Sequence, residues 1–308
     1  MSKRAARASD PTAHGGTLEV SVGISTVTVN GLPLTVVRRQ HACPTHGPEG
    51  APLGSTTVEA GGQGALREGD FLLGGGGYNR IASGSSNVVI GSPMPGITGT
   101  PARKQAFCSA YCALKKDWPG LTPAERKRRL AQLLAEEFSA FGAPPPVLSS
   151  SAEAHAAASW SRHKWQMNFP AGTFQGPTMP SERILIHETR HAEQSFAALR
   201  EVTTPRDGSA TLPTPELSEE YDFPERVVDA AKNRPIDRDS TDGRYARVMA
   251  ASYLSDQGKQ DLRDIVNALS QAQQAGDKKG YVDAAHRYEA LPLGQDAHET
   301  EGASSCGC

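Results

Sequence analysis

The chain has 308 residues, of which 37% are hydrophobic, and a formal net charge of −2. Because no run approaches the roughly eighteen apolar residues that cross a bilayer, and the start MSKRAARASD lacks an apolar segment, we expect neither a membrane-spanning helix nor conventional export. A charge near zero also argues against a dedicated nucleic-acid binder, since such binding needs a basic face.

Up to about residue 96, the composition is that of short strands between glycine turns. Runs such as TLEVSVG and STVTVNG alternate apolar and polar residues, as half-buried strands do. The form Gly-x-Ser/Thr-x-Val recurs in GISTVTVNG at 23, GSTTVEAGG at 54 and GSSNVVIGS at 84. Because short repeated β units cannot bury a face alone, we predict a compact β structure with approximate threefold internal symmetry.

Three histidines and a cysteine fall within this half. His14 lies in PTAHGG, and HACPTH holds His41, Cys43 and His46. Three imidazoles and one thiolate make a complete tetrahedral set with no open position, which is typical of a structural zinc site. The alternative interpretation is scattered polar loop residues, because His14 is remote in sequence from the other three.

Over about residues 8 to 93, the segments DPTAHGG, TVTVNGLPL, HACPTHG and GSSNVVIG resemble the PAAR domain. This is the zinc-stabilised β cone that caps the spike of the bacterial type VI secretion system. The resemblance implies that His14, His41, Cys43 and His46 bind one zinc ion and that a trimeric spike protein binds the base of the cone. It also implies that a domain fused behind the cap is cargo.

Beyond residue 96 the sequence has helical periodicity. TPARKQAFCSAYCALKKDW predicts one helix, and LTPAERKRRLAQLLAEEFSAFG predicts a second with Thr122 as N-cap and Gly142 just past its end. SAEAHAAASWSR predicts another helix, and HKWQMNFPAG predicts a strand. We interpret Cys108 and Cys112 as buried thiols and the closing CGC as a disordered tail.

The segment ILIHETRHAEQSF follows a predicted N-cap at Ser181 and contains His-Glu-x-x-His. On a helix, His187 and His191 project from one face with Glu188 beside them, so two imidazoles can hold a zinc ion while the glutamate acts on a bound water. The stripe expected to face the core consists of Leu185, Ala192, Phe196 and Leu199. The alternative interpretation is an ordinary solvated polar helix.

A catalytic zinc ion needs three protein ligands, and the third must come from farther along the chain. The best candidate is Glu225 in EEYDFPERVVDAAKN, where Glu225 and Asp229 are four residues apart on one helical face. Glu219 and Glu220 remain alternatives. Glu225 can also be read as an ordinary acid favoured in the first turn of a helix.

HETRHAEQ together with PERVVDA resembles the glutamate zincins, peptidases in which His-Glu-x-x-His is followed by Glu-x-x-x-Asp on a second helix. The resemblance implies that His187, His191 and Glu225 bind a catalytic zinc ion. It further implies that Glu188 is the general base and that Asp229 orients a ligating imidazole. The residue that stabilises the oxyanion is left open among Tyr221, Tyr245 and Tyr253.

The sequence thus predicts a multidomain fold. We expect an all-β PAAR cone with pseudo-threefold repeats at residues 1–95, a linker and helical lead-in at 96–145, a mainly α (α+β) zincin-like domain at 146–300 and a disordered tail at 301–308. Two zinc ions are expected, one structural and one catalytic.

The expected function is that of a type VI secretion effector whose metallopeptidase toxin domain hydrolyses peptide bonds of a target-cell protein. The alternatives are a spike tip with a non-enzymatic adaptor extension and a zinc hydrolase acting on cell-wall peptides. Expected partners are the trimeric spike protein, a cognate immunity protein and a protein substrate, without nucleic acid or stable membrane insertion. The protein is expected in the bacterial cytoplasm before firing and in a target cell afterwards.

Overall fold

The computed structural model describes most of the chain and divides it into two compact units. The described residues are 2–19, 23–37, 39–45, 47–52, 54–55, 58–74, 77–91, 100–151, 158–205, 212–289, 291–294, 296–297 and 306–308. Unit 1 comprises Met1–Pro95 and Arg238–Gln295, and unit 2 comprises Gly96–Asp237 and Asp296–Cys308. This differs from the predicted division, because the helices that follow residue 238 group with the N-terminal part.

The secondary structure changes from strands to helices along the chain. The strands are β1 Ser2–Arg4, β2 Gly23–Val29, β3 Leu32–Thr35, β4 Gln40–Cys43, β5 Gly47–Gly50, β6 Glu59–Ala60, β7 Gln63–Gly64, β8 Phe71–Gly74, β9 Gly77–Arg80, β10 Val89–Gly91, β11 Val147–Ser151, β12 Ser159–Ser161 and β13 Gln166–Pro170. The helices are α1 Pro101–Asp117, α2 Pro123–Phe141, α3 Glu182–Thr203, α4 Thr214–Tyr221, α5 Glu225–Lys232, α6 Thr241–Tyr253, α7 Asp256–Ala275 and α8 Lys278–Glu289. Within the described ranges, no helix has both the length and the apolar character needed to cross a bilayer.

Unit 1 contains three antiparallel two-stranded ribbons, β1–β10, β2–β3 and β6–β7. Each sequence repeat supplies one strand to one ribbon, namely β2, β6 or β10. The β2–β3 turn has positive φ angles at Asn30 and Gly31, the backbone that an Asn-Gly hairpin turn favours. The ribbons therefore account for the alternating patterns in the sequence.

A closed ring of hydrogen bonds joins the segments that follow these ribbons. The amide of Ala6 donates to the carbonyl of Leu66 (2.9 Å), that of Leu66 to Thr35 (2.9 Å) and that of Thr35 to Ala6 (3.1 Å). Thr35 is the last residue of β3, Leu66 lies two residues after β7, and Ala6 lies two residues after β1. The ring therefore joins one strand end from each of the three ribbons. The wider threefold symmetry of the repeats stays a prediction.

Unit 1 also repeats an Arg-x-x-Asp turn, in RASD and REGD. The Arg7 amide donates to Asp10 Oδ2 (2.7 Å), and the Arg67 amide donates to Asp70 Oδ2 (2.8 Å). The guanidinium of Arg67 also donates to Asp70, and both side chains are buried. Burial raises the pKa of Asp70, and Arg67 opposes that shift.

Unit 2 places α3 at its centre. The predicted caps are confirmed: Thr122 and Glu125 form a capping box at the start of α2, Gly142 ends α2 with a φ of 82°, and Ser181 caps α3. The predicted stripe is also confirmed, since Leu185, Ala192, Phe196 and Leu199 are all buried.

A three-stranded sheet in the order β11-β13-β12 also lies in unit 2, with β11 parallel and β12 antiparallel to β13. The helix predicted over SAEAHAAASWSR is wrong at residues 159–161, where β12 pairs with β13; residues 152–157 lie outside the described residues. The Trp160 ring packs edge-on against Trp165, so tertiary contacts override the helical preference of the neighbouring alanines.

The interpretation of the cysteines is wrong. Cys108 forms a disulfide with Cys306, and Cys112 forms one with Cys308. Residues 306–308 are thus fixed to α1 rather than forming a disordered tail; residues 301–305 lie outside the described residues. The partners are 198 and 196 residues apart in sequence, so no local pattern could have revealed the pairing.

We expect Arg67→Ala to lower the free energy of unfolding of unit 1 by about 3–5 kcal/mol, because Asp70 would stay buried without its guanidinium partner. Amide hydrogen exchange in β3 and β8 measures this loss. Arg4→Ala is the matched control: Arg4 pairs with Glu68 at 3.1 Å with side chains 52% and 32% exposed, so a change of about 0–1 kcal/mol is expected. Equal effects of the two variants would contradict the prediction.

Candidate metal centres

The first candidate centre lies in unit 1, where His14 approaches the end of β4. His14 Nδ1 lies 3.7 Å from Cys43 Sγ. Asn79 Nδ2 donates to Cys43 Sγ at 3.6 Å and to Glu49 Oε2 at 3.0 Å, while Asn79 Oδ1 accepts the His14 amide. The fourth predicted ligand, His46, lies outside the described residues.

Glu49 is the member of this centre that the sequence did not indicate. It lies on β5 directly opposite His41 of β4, and its Oε2 is 3.2 Å from His41 Nε2. The ligand atoms of His14, Cys43 and Glu49 all lie within 4.8 Å of one another. No other three His, Cys, Asp or Glu residues within the described ranges meet this condition. The sequence could have indicated Glu49 only through the antiparallel pairing of β4 with β5, which places Glu49 opposite His41, eight positions away.

The donor atoms of this centre fit a zinc ion. A thiolate, imidazoles and a carboxylate are all zinc ligands. His41 Nδ1 is buried and has no hydrogen-bond partner among the described residues, while the Nε2 of the same ring faces the Glu49 carboxylate. Metal-binding histidines usually donate their other ring N–H to such a carboxylate.

The second candidate centre is formed by His187 and His191 on α3. Their Nε2 atoms lie 3.0 Å apart, close to the about 3.3 Å that separates two nitrogen ligands of one tetrahedral zinc ion. Burial, with His187 adding to it, lowers the pKa of His191 to about 3, so this imidazole is neutral at pH 7. Neutral imidazole is the form that binds metals.

A buried network fixes which nitrogen of His191 carries its proton. The amide of Gln194 donates through Nε2 to Asp296 Oδ2 (2.7 Å), so its Oε1 faces His191 Nδ1 (2.8 Å). An amide oxygen only accepts, so Nδ1 carries the hydrogen and the lone pair is on Nε2. The pair of histidines therefore fits two positions of a metal site.

Arg190 anchors this network from the same helix. Its guanidinium donates to both carboxylate oxygens of Asp296, at 2.8 Å each, and to Glu193 Oε2 at 2.5 Å. Arg190 is fully buried and Asp296 is 1% exposed. The sequence indicated neither Gln194 nor Asp296 as functional, because the bond that joins them spans 102 residues of the chain.

The three acids predicted for the second centre are not grouped with its two histidines. Glu188 is buried on α3, but Glu225 and Asp229 are exposed on α5, and Asp229 accepts a hydrogen bond from Thr214. None of these acids joins His187 and His191 in a group of three ligand atoms within 4.8 Å among the described residues. The assignments of these acids stay predictions.

The remaining alternatives also stay open. Glu219 and Glu220 are exposed on α4. Tyr221 ends α4 in unit 2, whereas Tyr245 and Tyr253 belong to α6 in unit 1.

Residues 8–78 match the family model described as the PAAR motif. The N-terminal part of the chain carries a PAAR motif. PAAR proteins sit on the type VI spike, so the motif suggests a spike-tip protein that is exported by type VI secretion. The match includes the described members of the first centre, His14, His41, Cys43 and Glu49. No curated protein and no solved structure matches the chain.

A pocket beside α3 is lined by Lys104, Phe107, Glu137, Ile186 and Thr189. Glu137 is buried, and it forms an ion pair with the partly exposed Arg103. Burial raises the pKa of Glu137 to about 7, although its ion pair with Arg103 opposes the shift.

This pKa predicts a pH dependence of stability. Because the folded protein holds the Glu137 proton more tightly than the unfolded chain, the stabilisation is complete below pH 4.5 and is lost as the pH rises to about 7. We expect a loss of at most about 3 kcal/mol over this range, and Glu137→Gln should abolish it. Urea unfolding at pH 4.5, 5.5 and 7 measures the effect, with Glu216→Gln at an exposed acid of α4 as control. The prediction would be contradicted if Glu137→Gln lost as much stability between pH 4.5 and 7 as the wild-type protein does.

Proposed function

We propose that the protein is a type VI secretion effector in which a PAAR spike tip carries a zinc-dependent peptidase. The observation that supports the peptidase most directly is the convergence of the two Nε2 atoms of His187 and His191, with the tautomer of His191 fixed by Gln194. Without a metal ion the two Nε2 atoms are at the distance of an N–H···N hydrogen bond, and a zinc ion would replace that bond by binding the lone pair of each imidazole. Glu188 between these histidines adds the acid that hydrolysis requires.

The first zinc ion is structural in this proposal. His14, His41, Cys43 and His46 hold it, and the Glu49 carboxylate orients His41 and balances part of the charge. Glu49 is completely buried, and a buried anion near a thiolate is costly unless a cation compensates it. The ion therefore joins the loop of His14 to strands β4 and β5.

The second zinc ion is catalytic in this proposal. A zinc ion at His187 and His191 would acidify a water molecule and polarise a peptide carbonyl. Glu188 takes the proton of the attacking water and returns it to the leaving amine. Glu225 is the proposed third ligand because it begins α5, which packs against α3, and Asp229 is proposed to orient a ligand.

The proposed partners follow from this assignment. The trimeric spike protein binds the base of the PAAR part, a protein of the target cell is the substrate, and a cognate immunity protein protects the producing cell. The protein stays in the bacterial cytoplasm until firing and then enters a target cell.

A second candidate function is a spike tip whose unit 2 is a non-enzymatic adaptor. The exposure of Glu225 and Asp229 favours it, as does the finding that among the described residues neither acid joins the histidine pair in a group of ligand atoms within 4.8 Å. In that case the histidine pair and the buried network only stabilise α3.

Metal analysis separates the two candidates. The full-length protein should contain two zinc ions per chain, and the double variant His187→Ala/His191→Ala should contain one, because only the second centre is removed. The matched control, His163→Ala/His286→Ala, removes two histidines outside both centres and should retain two. A single zinc ion that the first double variant leaves unchanged would favour the adaptor.

Glu188→Gln tests the chemistry itself. It should keep both zinc ions and lower the rate of peptide hydrolysis about 10²- to 10⁴-fold, because the general base is lost. Cleavage of a peptide library measures the rate, and Glu182→Gln in the first turn of α3 is the control. Full activity of Glu188→Gln would refute the assigned base.

A further inference from the structure

Asp296 determines the orientation of the Gln194 amide. Its Oδ2 accepts from Gln194 Nε2, and the opposite side of that amide accepts from His191 Nδ1. If Asp296 withdrew, the amide could turn over and present its NH₂ group to Nδ1. His191 would then carry its hydrogen on Nε2, and this nitrogen could not bind a metal ion.

The buried position of Asp296 depends on segments that are distant in sequence. It lies 106 residues from Arg190 and 102 from Gln194 in sequence, yet it is 1% exposed and bonded to both. Asp296 belongs to a helical stretch of which residues 292–294 and 296–297 are described. Cys306 lies only ten positions after Asp296, so whatever retains Cys306 also restricts how far Asp296 can move from α3.

Two disulfides retain the other end of this segment. Cys306 and Cys308 are linked to Cys108 and Cys112, one helical turn apart on α1, and Lys115 Nζ donates to the carbonyl of Cys308 at 2.8 Å. Attachment at two points fixes the direction of residues 306–308 along α1 as well as their position.

The helix to which they attach shares a hydrophobic core with α3. Phe107, Tyr111 and Leu114 of α1 pack in one apolar cluster with Leu185 and Ile186 of α3. Of the four disulfide-bonded cysteines, Cys108, Cys112 and Cys306 pack against the same cluster. The disulfides thus tether the Asp296 segment to the core that supports α3, and such a tether raises the effective concentration of Asp296 at Arg190.

We propose that Asp296 is a positioning residue for His191 and that the disulfides Cys108–Cys306 and Cys112–Cys308 hold it in place, so that the second metal centre gains full affinity only in an oxidising compartment. The inference rests on the proposed function of His187 and His191 as metal ligands. A cytosolic thiol pool keeps such cysteines reduced, so the centre is weak in the producing cell and becomes strong once the protein reaches an oxidising compartment.

The redox step balances through thiol–disulfide exchange. Two protein thiols lose two electrons and two protons for each disulfide formed. The oxidant is a disulfide of an oxidoreductase or of a small thiol, and it is reduced to two thiols. Two oxidant disulfides therefore complete the tether.

The test measures zinc affinity at the second centre of the full-length protein. Zn²⁺ competition with a chromophoric chelator gives this affinity, and the His187→Ala/His191→Ala variant identifies the signal of the first centre. Asp296→Asn should weaken binding about 10- to 100-fold, the usual effect of losing a group that orients a metal ligand. The visible absorption band of bound Co²⁺ should change as well, which a merely structural role would not require.

The disulfides are tested without reductant, so that Cys43 is not disturbed. Cys306→Ser/Cys308→Ser should lower the zinc affinity of the second centre about tenfold. Adding Asp296→Asn to this variant should lower the affinity much less than Asp296→Asn does in the wild-type protein, because both changes act through one network. Asp283→Asn makes the same chemical change at an exposed ion pair with Lys279 and should leave both centres unchanged.

Each outcome decides a separate point. Unchanged affinity in both Asp296→Asn and the serine variant overturns this inference alone, and fully additive losses overturn the coupling between them. If the oxidised wild-type protein binds no second zinc ion, the proposed function fails and this inference fails with it. Should Asp296→Asn not fold, the serine variant still decides, because it leaves the buried network chemically intact.

Discussion

The buried guanidinium of Arg190 is the constraint on which unit 2 depends. An unpaired charge in a protein interior is strongly unfavourable, so the centre of α3 requires carboxylates around it. Glu193 supplies one from the same helix, but the bidentate partner, Asp296, comes from a segment that is distant in sequence. Unit 2 is therefore complete only when that segment has returned to α3.

The two centres present different problems of physical chemistry. The first places the acidic groups of Cys43 and Glu49 in the interior, with the amide of Asn79 donating to both. The second places the imidazoles of His187 and His191 side by side, and the amide of Gln194 fixes the hydrogen of His191 on Nδ1. Metal binding at the first would depend on charge compensation, and metal binding at the second on hydrogen-bond direction.

The sequence predicted those features that depend on near neighbours. The capping box at Thr122, the N-cap at Ser181 and the stripe from Leu185 to Leu199 follow from the helical repeat, and the strand-rich character of the first hundred residues follows from alternation. The features that were missed depend on pairing across the chain. Glu49 became visible only when β4 and β5 were in register, and β12 formed where alanine composition favoured a helix. The partners of Cys108 and Cys112 lie almost two hundred residues away.

The one cysteine outside the disulfides affects how the protein can mature. Four cysteines can pair in three ways, and a competing fifth thiol raises the number of two-disulfide products about fivefold. Cys43 is 4% exposed and lies beside His14, so a metal ion captured there would remove it from the exchange before the others are oxidised. Metal loading of the first centre before oxidation would thus act as a protecting group in oxidative folding, and a chain depleted of zinc would accumulate mispaired isomers.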